Sequence, residues 1–87
     1  MKLEDLKPVK VTWIDSCASN AWTYIDEEPL HNMQCESIGY LIHENNKEVL
    51  IALNVGLANK ESTEISQYGC SICIPRVAVK EIKYLEL

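Results

Sequence analysis

Two alternating apolar stretches, residues 34–43 and 47–55, face each other across Glu44-Asn45-Asn46. In the first, Ile38, Tyr40 and Ile42 alternate with Ser37, Gly39, Leu41 and His43. In the second, Val49, Ile51, Leu53 and Val55 share one face. Period-two alternation is the mark of a strand, and Asn tolerates the positive φ of tight hairpin turns. A β-hairpin is therefore expected here. Leu50 and Ala52 make the other face of the second strand apolar as well, which places it centrally in a sheet.

The rest of the chain must build on that hairpin. With 87 residues it has room for one small domain spanning 1–87. Residues 1–7 read as a short helical turn or arm, pinned by Leu3 and Leu6 and ended at Lys7-Pro8. Residues 9–14 read as a strand, with Val9, Val11 and Trp13 on one face. Residues 15–20 read as a turn or loop, 22–25 as a short extended piece and 26–33 as loop. Residues 56–68 are polar and fit a loop or a short helical turn. A fourth strand is expected over 70–74, broken by Pro75. A last strand is expected over 76–85, with a kink or bulge because Val77, Val79, Ile82 and Leu85 keep no single alternation. About five short strands, with an Ile74-Pro75 turn before the last, predict an all-β fold, a small SH3-like or Sm-like barrel.

Charge narrows the function classes. Eight basic residues against thirteen acidic ones leave a formal charge of −5. General nucleic-acid binding rests on Lys and Arg neutralising phosphate, so it is not expected. No run reaches the ~20 apolar residues of a membrane span. Residues 1–7 do not read as a signal peptide, so the expected location is the cytoplasm.

Four cysteines are the first chemical candidates. Cys70-Ser71-Ile72-Cys73 is a C-x-x-C, and Cys17 and Cys35 would complete four thiolate ligands for zinc. Only one pair has chelating spacing, and residues three apart on a strand point to opposite faces. The simpler reading is small buried apolar side chains, so no metal and no cofactor are expected. Asp15-Ser16-Cys17 sets an acid beside possible nucleophiles. A hydrolytic site also needs a positioned base, and His31 and His43 fall in a loop and at a hairpin turn. Asp26-Glu27-Glu28 reads as a solvated run. The chain is expected not to be an enzyme.

The aromatic residues point towards binding. They are Trp13, Trp22, Tyr24, Tyr40, Tyr68 and Tyr84, and phenylalanine is absent. Trp and Tyr suit places where one end is buried and the other meets a partner. Trp13 reads as core. Trp22 and Tyr24 lie two apart between polar segments and could stack on a base or fill a partner's pocket. Arg76 is the only arginine and could clamp a phosphate or carboxylate, or simply form a surface ion pair. Lys80 and Lys83 read as protection for a sheet edge.

In three places the chain resembles a type of small protein encoded by tailed phages and prophages. The first is Val11-Thr12-Trp13-Ile14-Asp15-Ser16 followed by Trp22 and Asp26-Glu27. The second is Ser37-Ile38-Gly39-Tyr40-Leu41-Ile42 with Glu44, then Val49-Leu50-Ile51-Ala52. The third is Gln67-Tyr68-Gly69 leading to Ile74-Pro75-Arg76, then Val79, Ile82 and Leu85. The cysteines are not part of that pattern. The resemblance implies a bacterial host cytoplasm and a source more than an activity. Small phage proteins of this kind act by binding, either as sponges for nucleotide-like immune signals or as inhibitors that coat a host enzyme. The leading expectation is a homo-oligomer that sequesters such a signal. Trp22, Tyr24 and Tyr68 would stack on its base, Arg76 would meet its phosphate, and Asp15 completes the candidate set. The alternatives are a protein–protein inhibitor or adaptor using the acidic face, and an Sm-like RNA binder.

Overall fold

The computed structural model describes residues 1–18 and 20–86. Five strands form one antiparallel sheet: β1 (Lys7–Asp15), β2 (Met33–Glu44), β3 (Glu48–Leu57), β4 (Ile65–Pro75) and β5 (Val79–Tyr84). Their spatial order is β4-β3-β2-β1-β5, so β3 is flanked on both sides, as its two apolar faces require. The all-β expectation holds. A closed barrel is not seen, because β4 and β5 remain the two edges of the sheet.

The expected hairpin forms with Asn45 at its turn. Asn45 Oδ1 accepts from the backbone N–H groups of Lys47 (2.8 Å) and Glu48 (2.9 Å), a side-chain turn rather than one built on positive φ. Cys70, at φ 53°, is the non-glycine residue with positive φ among those described. Its neighbours in the ladder are Ser71 opposite Ala52 and Gly69 opposite Asn54.

β2 belongs to two ladders. Along its whole length to Leu41 it pairs with β1, from Asp15 opposite Met33 to Lys7 opposite Leu41. It meets β3 only from Tyr40 opposite Ala52 onwards. Residues 33–39 of β2 and 53–57 of β3 therefore run apart as two ribbons, β1–β2 and β3–β4. Gly39 sits where they separate. A Cβ there would stand 2.8 Å from the Ala52 carbonyl oxygen, so only glycine lets the backbones come this close.

Pro75 ends β4, and Arg76–Ala78 form a single 3-10 turn before β5 begins at Val79. The predicted strand over 76–85 is thus shorter. The expected irregularity lies at Lys80, an extra β5 residue between Glu81 opposite Thr12 and Val79 opposite Trp13. The predicted strand 70–74 is longer, since β3 and β4 extend into the polar segment and leave residues 58–64 as their turn. One short turn joins strands at opposite edges of the sheet, so the sheet must curl. Curling gathers Val9, Val11, Val49, Ile51 and Ile74 into one buried cluster. Trp13, Leu41, Ala78, Val79 and Ile82 pack around it. Trp13 is core as expected, and its Nε1 donates to Ser37 Oγ at 3.0 Å.

The opening residues form a 3-10 turn at Leu3–Asp5. Backbone bonds hold this segment more than its leucines do. Leu3 N–H donates to the Thr63 carbonyl (2.7 Å), and Ile65 N–H to that of Met1 (2.9 Å).

Gly39→Val should lower unfolding free energy by about 1–3 kcal/mol, the usual range for overpacking, and more if the β2–β3 ladder opens. At Cys70, a β-branched Val should cost about 1–2 kcal/mol at positive φ, whereas Gly should be neutral or stabilising. Urea unfolding of the three variants checks both statements.

Candidate functional site

The connection between β1 and β2, residues 16–32, carries Trp22 and Ile25, the two most exposed large hydrophobic side chains among the described residues. Trp22 is 102% exposed, Ile25 104% and Tyr24 79%; Leu30 and Met33 also face solvent. Every residue from 20 to 32 is exposed. The expected extended piece at 22–25 is not a strand: Glu27 N–H donates to the Tyr24 carbonyl (3.0 Å) and closes a turn there. Ser19, read within the turn at 15–20, lies outside the described residues. The loop caps the β1–β2 ribbon in a molecule 62 Å long and only 24 by 23 Å across.

The loop is also one-sided in charge. Between Val11 and Asn46 there are six carboxylates and neither Lys nor Arg. Asp26, Glu27 and Glu28 are exposed, and so is Asp15 at the end of β1 opposite Met33. His31 Nε2 lies 2.9 Å from Glu28 Oε1, an exposed contact within the loop. Near the other histidine, Asn45 Nδ2 lies 3.2 Å from His43 Nε2 at the hairpin turn.

The other candidates stand elsewhere. Tyr68 is on β4 opposite Val55, in the ribbon that runs apart from the one bearing the loop, and is 47% exposed. Arg76 lies in the turn after Pro75, and its Nη1 donates to Glu44 Oε2 at 3.0 Å. Its backbone N–H donates to the Lys47 carbonyl (2.8 Å). The arginine thus ties the β4–β5 corner to the β2–β3 hairpin, the ion-pair alternative read from the sequence. Trp22 and Tyr24 share a loop with each other and come from a different part of the fold than Tyr68 and Arg76.

All four thiols are free. Cys35 lies on β2 opposite Trp13, and Cys73 on β4 opposite Leu50. Among the described residues no three of His, Cys, Asp and Glu come together as metal ligands. Cys73 Sγ donates to Glu48 Oε2 at 3.3 Å. That hydrogen bond holds the proton on sulfur and, with the nearby carboxylate charge, pushes the Cys73 thiol above the ordinary cysteine range.

Among the hollows on the sheet are two that are mainly apolar. One lies where the ribbons part and is lined by Ile38, Leu53, Cys70 and Ile72, with a volume of about 280 Å³. The pattern gave no hint of it, because it depends on where the β2–β3 ladder stops. The other, about 330 Å³, lies between Leu6, Lys7, Pro8, Tyr84 and Leu85 at the start of β1 and the end of β5. No helix among the described residues is long and apolar enough to cross a membrane. Comparison with protein families, with curated proteins and with solved structures gives no match.

In a variant keeping only Cys73 of the four thiols, Glu48→Gln should remove the acceptor charge. The pH midpoint of alkylation should then move down. An unchanged midpoint would show that Glu48 does not hold the thiol proton.

Proposed function

We propose that this protein is a non-enzymatic accessory binding protein of the tailed-phage type, acting as a protein–protein inhibitor or adaptor through its 16–32 loop. The exposure of Trp22 and Ile25 carries this reading. Large apolar and aromatic side chains held fully in water contribute nothing to the fold's own core. They are the residue types that anchor interfaces. The surrounding carboxylates give the loop the charge to find and orient on a basic surface. We read the curled sheet as an SH3-like or Sm-like barrel. The strand order, the β2 strand shared between two ladders and the 3-10 turn between β4 and β5 support that architecture.

A second reading is sequestration of a nucleotide-like host signal. It is favoured by the free rings of Trp22 and Tyr24. A pocket that also used Tyr68 and Arg76 would have to draw on more than one protomer and release Arg76 from Glu44.

The test is retention of a bacterial host protein by the immobilised chain at low salt. Trp22→Ala combined with Ile25→Ser should weaken retention by roughly 2 kcal/mol or more, about thirtyfold, with an unchanged circular dichroism spectrum. Equal retention by the double variant would contradict the role of the loop. A nucleotide-sized mass in native mass spectra, lost in both Trp22→Ala and Arg76→Ala, would favour the second reading instead.

A further inference from the structure

We infer that the loop's resident partner is a second copy of this chain, which receives it at the β1–β5 edge. This rests on the reading of residues 16–32 as the contact element and names what the element meets. Charge is unevenly divided along the chain. All eight cations lie outside residues 11–46, and four of them, Lys7, Lys10, Lys80 and Lys83, sit on the adjacent strands β1 and β5. Lys10 stands directly opposite Lys83 in the β1–β5 ladder. Like charges in that relation oppose pairing. Glu36 Oε2 lies 3.6 Å from Lys10 Nζ, and Glu81 is the one acid on β5. An added acidic segment would relieve the repulsion.

Beside these lysines is the second hollow. Val9 opposite Tyr84 is the next rung of the same ladder, and Tyr84 forms one wall with Leu6, Pro8 and Leu85. The edge therefore offers an apolar recess of about 330 Å³ with Lys7 in its wall, while Lys83, next to Tyr84, stands on the other face of the strand beside Lys10. The loop offers Trp22 and Ile25 followed by Asp26, Glu27 and Glu28. Asp5 and Glu44 lie on the neighbouring surface that shares Lys7 and Tyr84 with the recess.

The two complementary surfaces cannot meet in one chain as folded. The recess is at the Lys7 end of β1 and the loop follows Asp15, about 25 Å away along the strand. Trp22 and Ile25 are accordingly bare. Two copies laid antiparallel place each loop at the other's recess, so both contacts form together about a two-fold axis. Trp and Tyr each bury roughly 150–250 Å² when covered. Two loops with their receiving surfaces thus reach the roughly 1,200–2,000 Å² of a specific interface.

Sedimentation velocity of the full chain tests this. The wild type should be a dimer at low salt, with its dissociation constant rising at least about tenfold towards ~0.5 M salt as the charges are screened. Trp22→Ala should give monomers. A loop-reversed chain (Asp26→Lys, Glu27→Lys) and an edge-reversed chain (Lys7→Glu, Lys83→Glu) should each be monomeric alone. Mixed, they should form a heterodimer, since each loop then meets an edge of opposite sign. The inference is overturned by a wild type that stays monomeric at millimolar concentration, by a dimer indifferent to these changes, or by a mixture that does not associate. A monomeric wild type would leave the loop free to hold another protein. Loss of host-protein retention in the Trp22/Ile25 variant would still test that reading separately.

Discussion

The fold depends on one constraint: β4 and β5 are joined by a single turn, yet they occupy opposite edges of the sheet. A flat sheet cannot satisfy this, so the sheet curls until Ile74 on β4 meets Val9 and Val11 on β1 across Val49 and Ile51. The buried aliphatic cluster belongs to that closure, and Ala52 is buried separately against Gly39. Arg76 secures the corner by its ion pair with Glu44 and its backbone bond to Lys47. Gly39 permits the close crossing at which β2 passes from one ladder to two. A core of five aliphatic side chains is small, and a chain of this size has little stability to spare.

That economy explains the division of labour along the sequence. Val9, Val11, Val49, Ile51 and Ile74 are aliphatic, close and buried. Residues 20–32, with Trp22, Tyr24 and the acids Asp26, Glu27 and Glu28, are exposed and take no part in the cluster. A hairpin whose connection is 17 residues long is unusual for a compact domain, and connections of that length are generally functional or disordered. Here the connection holds a closed turn at Tyr24–Glu27 and, among the described residues, the two most exposed large hydrophobic side chains. The fold supplies a two-stranded stem, and the loop at its end stands clear of the buried cluster.

Much of this was legible in the amino-acid order. Alternation at Val9, Val11 and Trp13, and again at Val49 and Ile51, identified the inward face because burial and period two coincide there. Asn45 and Pro75 marked their turns through side-chain hydrogen bonding and a missing N–H. The polar composition of 56–68 concealed the ends of β3 and β4. Those strands form an outlying ribbon with both faces near water, where polar residues are no obstacle to pairing. The grouping of Trp22 and Tyr24 with Tyr68 and Arg76 came from residue type alone. It did not anticipate that β2 and β3 part at Tyr40, which puts Tyr68 on a separate ribbon. The pairing of Lys10 with Lys83 was equally invisible, because register across non-adjacent strands is set by the curl and not by local pattern.

The account turns on the loop being independent of the core that supports it. Amide hydrogen exchange, read residue by residue at micromolar concentration in high salt, measures this directly. Strand amides at Val9, Val11, Val49, Ile51 and Ile74 should exchange slowly through global unfolding, while residues 20–32 exchange near the rate of an unstructured chain. Protection of Trp22 to Leu30 in the isolated monomer, comparable to that of β3, would mean the loop packs on its own body and would contradict the account.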